Sequence, residues 1–274
     1  MLCSLGGSLF DILSMNWRPM KREVTMEIAA KPKVEIVADY EALSRKSLQV
    51  FLLEAENAIK SNGVFHVAIS GGHTPRRFFE LLGEDSSVKA LAWDKVQLFW
   101  VDERIVPPDS PRSNYKLAVD TFLSEVGVPA ENIHRIPTEE SDFYNAAHCY
   151  EDTVRNVLGV EKKQVPEFDL IVLGMGPDGH TGSLFPNSYA PFDTEDLACV
   201  VYCLDEKLNR ITLTHPVLRA AHHLIVLVSG QEKAAILKKV LSSEPDEVRY
   251  PIHILWPVLD KITWLVDSAA ASLL

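Results

Sequence analysis

The segment 168–186, F-D-L-I-V-L-G-M-G-P-D-G-H-T-G-S-L-F-P, limits what this chain can fold into more than any other. Its apolar run, Leu170 to Leu173, has a length that suits a buried strand better than a helix. The run then breaks at Gly174, Gly176 and Gly179, and glycine permits both tight turns and close approach of the backbone to a ligand. Asp178 and His180 sit inside that turn. Ligands of an open α/β sheet bind beyond the carboxyl ends of its strands. A strand that runs straight into a turn bearing an acid and an imidazole therefore predicts a fold class and a site together.

The pattern recurs along the chain. A strand over 64–69, rich in β-branched and aromatic residues, leads into Ser70-Gly71-Gly72-His73-Thr74-Pro75. A helix is predicted over about 75–82, with Thr74 as its cap and Pro75 at its first position. Strand, glycine turn and helix N-terminus form an arrangement in which backbone N–H groups hold phosphate, although such turns also join strand to helix with no ligand. A strand over 96–101 ends in Asp102-Glu103-Arg104. Alone, that triplet reads as a solvated loop; at the end of a buried strand it becomes a site candidate. A strand over 224–228 ends in Ser229-Gly230 and precedes a helix reaching about 241, with Lys233 in its first turns. In isolation Lys233 reads as a solvated surface residue. A cation there opposes the helix dipole, which an anion nearby would explain.

Further strands are predicted over 33–37, 133–136, 199–204, 210–214 and 262–266, and helices over 40–61, 113–123, 141–158 and 216–221. Segment 187–196 reads as a loop, 251–256 as a loop or single turn, and Asp267 as the cap of a short terminal helix. Alternating strands and helices predict an α/β fold: a mostly parallel, Rossmann-like three-layer sheet with helices on both faces. The 274 residues suit a leader over 1–25 followed by a single α/β domain over 26–274. In the leader, Arg18, Lys21 and Arg22 follow the apolar stretch instead of preceding it, the wrong order for a signal peptide, so a poorly ordered extension is expected.

Charge and motif content narrow the function. A net charge of −11 disfavours nucleic acid and anionic membrane surfaces as partners, and no apolar run has the length of a membrane span. Cys3, Cys149, Cys199 and Cys203 are scattered, without zinc-site spacing, and fit free thiols in a reducing cytoplasm. No G-x-S-x-G, H-E-x-x-H or G-x-x-x-x-G-K-[ST] occurs. The candidate chemistry rests on Asp178 and His180 as carboxylate and general base, with Arg104, Arg210 and Lys233 as the positive charge. His222 and His223 read as surface or packing residues. His66, His134, His148, His215 and His253 lack partner spacing, and His73 is ambiguous within the glycine turn.

Six ordered motifs, S-G-G-H-T-P at 70–75, F-W-V-D-E-R at 99–104, S-N-Y at 113–115, the segment 173–186, R-I-T-L-T at 210–214 and S-G-Q-E-K-A at 229–234, resemble those of the 6-phosphogluconolactonases. The resemblance spans roughly residues 34–266. It implies hydrolysis of 6-phospho-D-glucono-1,5-lactone in the oxidative pentose phosphate pathway, by a cytoplasmic monomer or small homo-oligomer with no metal or organic cofactor. It also implies a fold shared with glucosamine-6-phosphate deaminase. By the same resemblance His180 is the base, Asp178 lies beside it, and Gly71, Gly72, Thr74, Asp102, Arg104, Arg210 and Lys233 contact the substrate or its phosphate. Two positions depart. Residue 182 is glycine where alanine is usual, a change expected to matter little, and residue 73 is histidine where serine is common. Two competing functions share these turns. An amino-sugar-phosphate deaminase/isomerase would carry Asn-Glu-Pro after its Asp-Gly-His, where this chain has Ser183-Leu184-Phe185-Pro186. A non-catalytic sugar-phosphate sensor would usually carry a DNA-binding module.

Overall fold

The structure is a computed structural model that describes residues 32–193, 195–203 and 208–274. The expected leader lies outside the described residues.

Seven parallel strands form the main sheet in the order β1-β10-β9-β6-β2-β3-β5. They are β1 Lys33–Val37, β2 Phe65–Ile69, β3 Val96–Trp100, β5 Ile133–His134, β6 Leu170–Gly174, β9 His223–Val228 and β10 Ile262–Asp267. Successive side chains of a strand point to opposite faces. Every side chain from Leu170 to Leu173 is buried, so both faces of the sheet are covered there, as the continuous apolar run predicts. The helices are α1 Tyr40–Asn62, α2 Arg76–Glu84, α3 Asn114–Ala118, α4 Phe143–Leu158, α5 His215–Ala220 and α6 Ala234–Ser242. Phe51 of α1 packs edge-on to Phe65 of β2 at 5.4 Å and tilts against Phe78 of α2 at 5.8 Å. Each such buried ring contributes about 1.5–3 kcal/mol over an exposed one.

The strand order reverses between β2 and β6. From β2 the chain moves outward to β3 and β5, and from β6 it moves the other way to β9 and β10. The turns that leave β2 and β6 therefore diverge and open a crevice at the carboxyl edge, the place where such sheets bind ligands.

A second sheet of three antiparallel strands, ordered β4-β8-β7, was not anticipated. It comprises β4 Asp102–Arg104, β8 Arg210–Leu213 and β7 Ala198–Val201. Val101 is the corner between the sheets: its amide donates to Ile69 O at 2.9 Å and its carbonyl accepts from Leu213 N at 2.7 Å. The predicted strand 96–101 thus breaks one residue early, and its charged tail belongs to the small sheet. Pairing of β5 extends only to His134, which leaves Trp100 at the end of β3 without a strand partner on that side. The Tyr150 hydroxyl of α4 substitutes, accepting from Trp100 N at 3.0 Å and donating to Trp100 O at 2.6 Å.

Other boundaries moved for local reasons. The expected helix 113–123 is α-helical only to Ala118 and continues as one π turn, Val119–Leu123. Gly83 of α2 lies against that turn, where a Cβ would come within 2.7 Å of Thr121 O. Segment Pro251–Lys261 is 3-10 helical with a kink at Val258, longer than the expected single turn. The residues after Asp267 form turns and not a helix, although the Asp267 carboxylate does accept from Ala270 N at 2.7 Å. Thr74 does not cap α2. Pro75 is the cap residue and offers no side-chain bond, and the Tyr40 hydroxyl accepts from Arg77 N at 3.0 Å instead.

Candidate active site

A cleft of about 560 Å³ opens at the carboxyl edge, lined by the turn 70–75, the turn 174–182, Asp102 and Arg104 of β4, Arg210 of β8 and Lys233. Every residue given a catalytic or substrate-binding role from the sequence borders it: Gly71, Gly72, Thr74, Asp102, Arg104, Asp178, His180, Arg210 and Lys233; Glu103, the middle of the candidate triplet, does not.

The glycine turn after β6 is built around the imidazole. The Gly176 amide donates to His180 O at 2.8 Å, closing the loop on itself. Of Gly174, Gly176 and Gly179 only Gly179 has a positive φ, 84°, so conformational freedom explains just one of these three. Gly176 is there for space: a Cβ on it would lie 2.1 Å from His180 Nδ1 and Cε1. The ring rests directly on the bare backbone. On another side it meets the Phe185 ring at 4.6 Å.

His180 Nδ1 lies 2.5 Å from Asp178 Oδ1, and the His180 amide donates to the same oxygen at 3.2 Å. Burial alone would push the Asp178 carboxyl up, but hydrogen bonding and charge from His180 outweigh it and hold the carboxyl at about 2. Asp178 is therefore ionised at every working pH. An ionised carboxylate accepts from Nδ1–H, which assigns the proton to Nδ1 and leaves Nε2 as the nitrogen free to act as a base.

The glycine turn after β2 offers amides. Among the described residues, none of the backbone N–H groups of Gly71, Gly72, His73 and Thr74 donates to a protein acceptor, whereas Ser70 N is tied to Val172 O at 2.9 Å and Arg76 N to His73 O at 3.3 Å. The amides available to an anion thus belong to the turn, and the first amides of α2 are already engaged.

Among the described residues, three cations rim the cleft. Lys233 Nζ donates to Met175 O at 2.7 Å; burial lowers its pKa, against the opposing pull of Glu232 and Asp178. Arg104 and Arg210 stand directly opposite each other in the β4–β8 pair, a like-charge arrangement that is unfavourable unless an anion joins it. Arg210 lies over the Phe185 ring at 5.8 Å, and its desolvation lowers its pKa. Arg104 Nη1 donates to Arg112 O at 2.7 Å, while its buried Nε has no partner among the described residues.

Four neighbours of the cleft received no role of their own in the sequence reading. Glu103 points away from the cleft and accepts from Ser113 Oγ and the amides of Arg104, Asn114 and Tyr115 at 2.7–2.9 Å; burial pushes its carboxyl up against those bonds. Asn114 donates to Asp102 O at 2.8 Å and presses against Gly71, where a Cβ would come within 2.0 Å of its Oδ1. Ser183 and Phe185 hold the flank of the imidazole turn. All four lie within motifs visible in the sequence, but only tertiary contact gives them partners.

Gly182 does not match its expectation. Its φ is 53°, and a Cβ would sit 3.2 Å from both Thr212 Oγ1 and Val101 Cγ1. The Gly182→Ala substitution is expected to destabilise the protein by roughly 1–2 kcal/mol, the cost of the left-handed region for an L-residue. A urea titration that finds the two proteins equally stable refutes this.

Fold and cleft together define a doubly wound α/β protein with an imidazole–carboxylate pair and a cationic rim at its switch point. The comparisons with known proteins agree. A family model described as glucosamine-6-phosphate isomerases/6-phosphogluconolactonase matches residues 38–264. A 6-phosphogluconolactonase of Nostoc sp. is 37% identical over 242 residues, covering 88% of this chain and 98% of that protein. One from Synechocystis sp. is 35% identical, covering 87% and 97%. A solved 6-phosphogluconolactonase structure from Leishmania guyanensis superposes with a TM-score of 0.78 at 28% identity, covering 88% of this chain and 98% of that one. A monomeric glucosamine-6-phosphate deaminase superposes with a TM-score of 0.74 at 21% identity, covering 88% and 100%, which shows the common fold alone. This chain belongs to the glucosamine-6-phosphate isomerase/6-phosphogluconolactonase family.

Proposed function

We propose that this protein hydrolyses 6-phospho-D-glucono-1,5-lactone to 6-phospho-D-gluconate, the second step of the oxidative pentose phosphate pathway. The observation that carries the reading is a single cleft holding a carboxylate-oriented imidazole together with free turn amides and three cations. One end of the substrate is a phosphate and the other a strained ester, and the cleft offers chemistry for both.

In the proposed mechanism the phosphate is held by the amides of Gly71, Gly72 and Thr74 with Arg104, Arg210 and Lys233. His180 Nε2 takes a proton from water as its oxygen attacks the C1 carbonyl. Cationic side chains or turn amides stabilise the oxyanion. Collapse of the tetrahedral intermediate breaks the bond from C1 to the ring oxygen, which receives the proton from His180. Asp178 keeps the imidazole in the required tautomer and stabilises it when charged.

The deaminase alternative needs a further carboxylate after the Asp-Gly-His turn, where this chain has Ser183, Leu184, Phe185 and Pro186. The direct test follows disappearance of freshly made lactone, with ammonia release from glucosamine 6-phosphate as the contrast. Lactone turnover without ammonia is the expected result, and the reverse overturns the reading. No helix among the described residues is long and apolar enough to cross a membrane, and the proposal places the activity in the cytoplasm.

Lys233→Ala is expected to raise KM for the lactone roughly 10- to 100-fold, the worth of a charge-assisted hydrogen bond to phosphate, with a smaller change in kcat. An unchanged KM removes Lys233 from the phosphate site.

A further inference from the structure

We infer that Asp102 is a positioning residue, which fixes Arg210 and the His180 turn relative to each other, and is not itself a ligand of the substrate. The inference deepens the lactonase reading and rests on it for its kinetic arm alone.

The Asp102 side chain is only 7% exposed, and its carboxylate is engaged from inside the protein. Oδ2 accepts from Ser183 Oγ at 2.6 Å, and Arg210 Nη1 lies 3.9 Å from the same oxygen. Asp102 faces Thr212 across the β4–β8 pair, and Arg104 faces Arg210. Asp102 and Arg210 are therefore diagonal neighbours on one face, within reach of long side chains. Among the described residues Asp102 is the one carboxylate within ion-pair distance of Arg210, and so it offsets the repulsion between the two facing arginines.

The same carboxylate ties down the base. Ser183 is fully buried three residues beyond His180. Its hydroxyl bonds Asp102, and its amide donates to Thr212 Oγ1 at 3.3 Å. Two bonds thus fasten the imidazole turn to the two residues of one rung, Asp102 and Thr212, in the small sheet that presents Arg210. Phe185 closes the circuit from the other side, touching His180 at 4.6 Å and lying under Arg210 at 5.8 Å. The base and the anion-binding guanidinium are held in one rigid frame, which is what an acyl carbon and a phosphate at fixed separation require. A direct contact between this carboxylate and a phosphate would instead be repulsive.

The test combines Asp102→Asn, Ser183→Ala and their double variant. Asp102→Asn keeps an acceptor for Ser183 but removes the charge that orients Arg210, and KM for the lactone is expected to rise about 10-fold, the lower end for a charged hydrogen bond. Ser183→Ala frees the imidazole turn but leaves Arg210 paired, and kcat is expected to fall about 10-fold, a fraction of the loss from a 1 Å misplacement, with KM nearly constant. The double variant is expected to lose less than the product of the two, because Asp102→Asn already weakens, by making its acceptor neutral, the bond that Ser183→Ala removes. A collapse of kcat in Asp102→Asn with normal turnover in Ser183→Ala overturns the inference, since Asp102 would then act on the substrate. Unaltered kinetic constants in both variants, with only a lowered melting temperature, overturn it as well. A second readout needs no substrate: Nε of Arg210 is held by Leu208 O at 3.0 Å in either form, so the guanidinium ¹⁵Nη resonances in the ligand-free protein are the probe, expected to be ordered in the wild type and mobile in Asp102→Asn. Equally ordered Nη resonances in both reject the inference even if the lactone is not the substrate. Should Asp102→Asn fail to fold, Ser183→Ala carries the test through its separation of kcat from KM.

Discussion

Replacing His180 with alanine is expected to lower kcat for the lactone by roughly 10²–10⁴-fold, the contribution of a positioned general base, with KM changed little. The imidazole is the group placed to take a proton from water: Nδ1 is committed to Asp178 at 2.5 Å, and Nε2 has no partner among the described residues. Removing it leaves the turn amides and the cations in place, so binding of the phosphate persists while the proton transfer is lost. Asp178, its carboxyl held at about 2, stays ionised throughout and keeps its bond to Nδ1. The His180→Ala protein should retain its melting temperature and show only residual turnover. Near-normal turnover would sink the mechanism.

Gly176→Ala is the second large effect, and the less obvious one. The new methyl would lie 2.1 Å from two atoms of the His180 ring and 2.7 Å from a third, far inside any contact distance. Gly176 is not among the glycines with positive φ, so alanine can adopt its backbone conformation without strain. The clash must therefore be relieved by the imidazole, which swings off its seat and loses the Asp178 bond. A displacement of about 1 Å in a catalytic group costs about 10²-fold in rate. The expected result is a fall in kcat of that size at nearly unchanged thermal stability. A Gly176→Ala enzyme with wild-type kcat, or one that simply fails to fold, contradicts this account. The contrast with Gly182→Ala is informative: there φ is 53°, and the penalty falls on the fold.

Much of the scaffold was legible in the chain itself. The run Leu170–Leu173 is apolar on both faces because both are covered, and the segments ending at Ile69, Gly174 and Val228 are strands for the same local reason. Their turns carry Gly71, Thr74, Asp178, His180 and Lys233, and in a parallel α/β sheet every strand delivers its carboxyl end to the same edge. Convergence of the site residues was therefore implied by strand direction alone.

The small antiparallel sheet was not legible. Asp102–Arg104 is three residues long, and nothing in D-E-R distinguishes a short strand from a charged loop until Arg210–Leu213 pairs with it. Thr74 looked like a cap because Ser and Thr so often are, yet the Tyr40 hydroxyl from a distant helix took the α2 amide. Gly176 and Gly179 look alike in sequence, but one serves a left-handed turn and the other vacates room for a ring.

What the sequence determined by itself was periodicity, turn chemistry and the direction of each strand, since these depend on neighbours a few residues away. What only the tertiary structure decided was partnership: that Arg104 faces Arg210, that Ser183 reaches Asp102 and that His180 rests on Gly176. The first two contacts join residues far apart in the chain, and the third depends on how one loop folds back on itself. All three are fixed by packing of the whole molecule, to which no local pattern gives access.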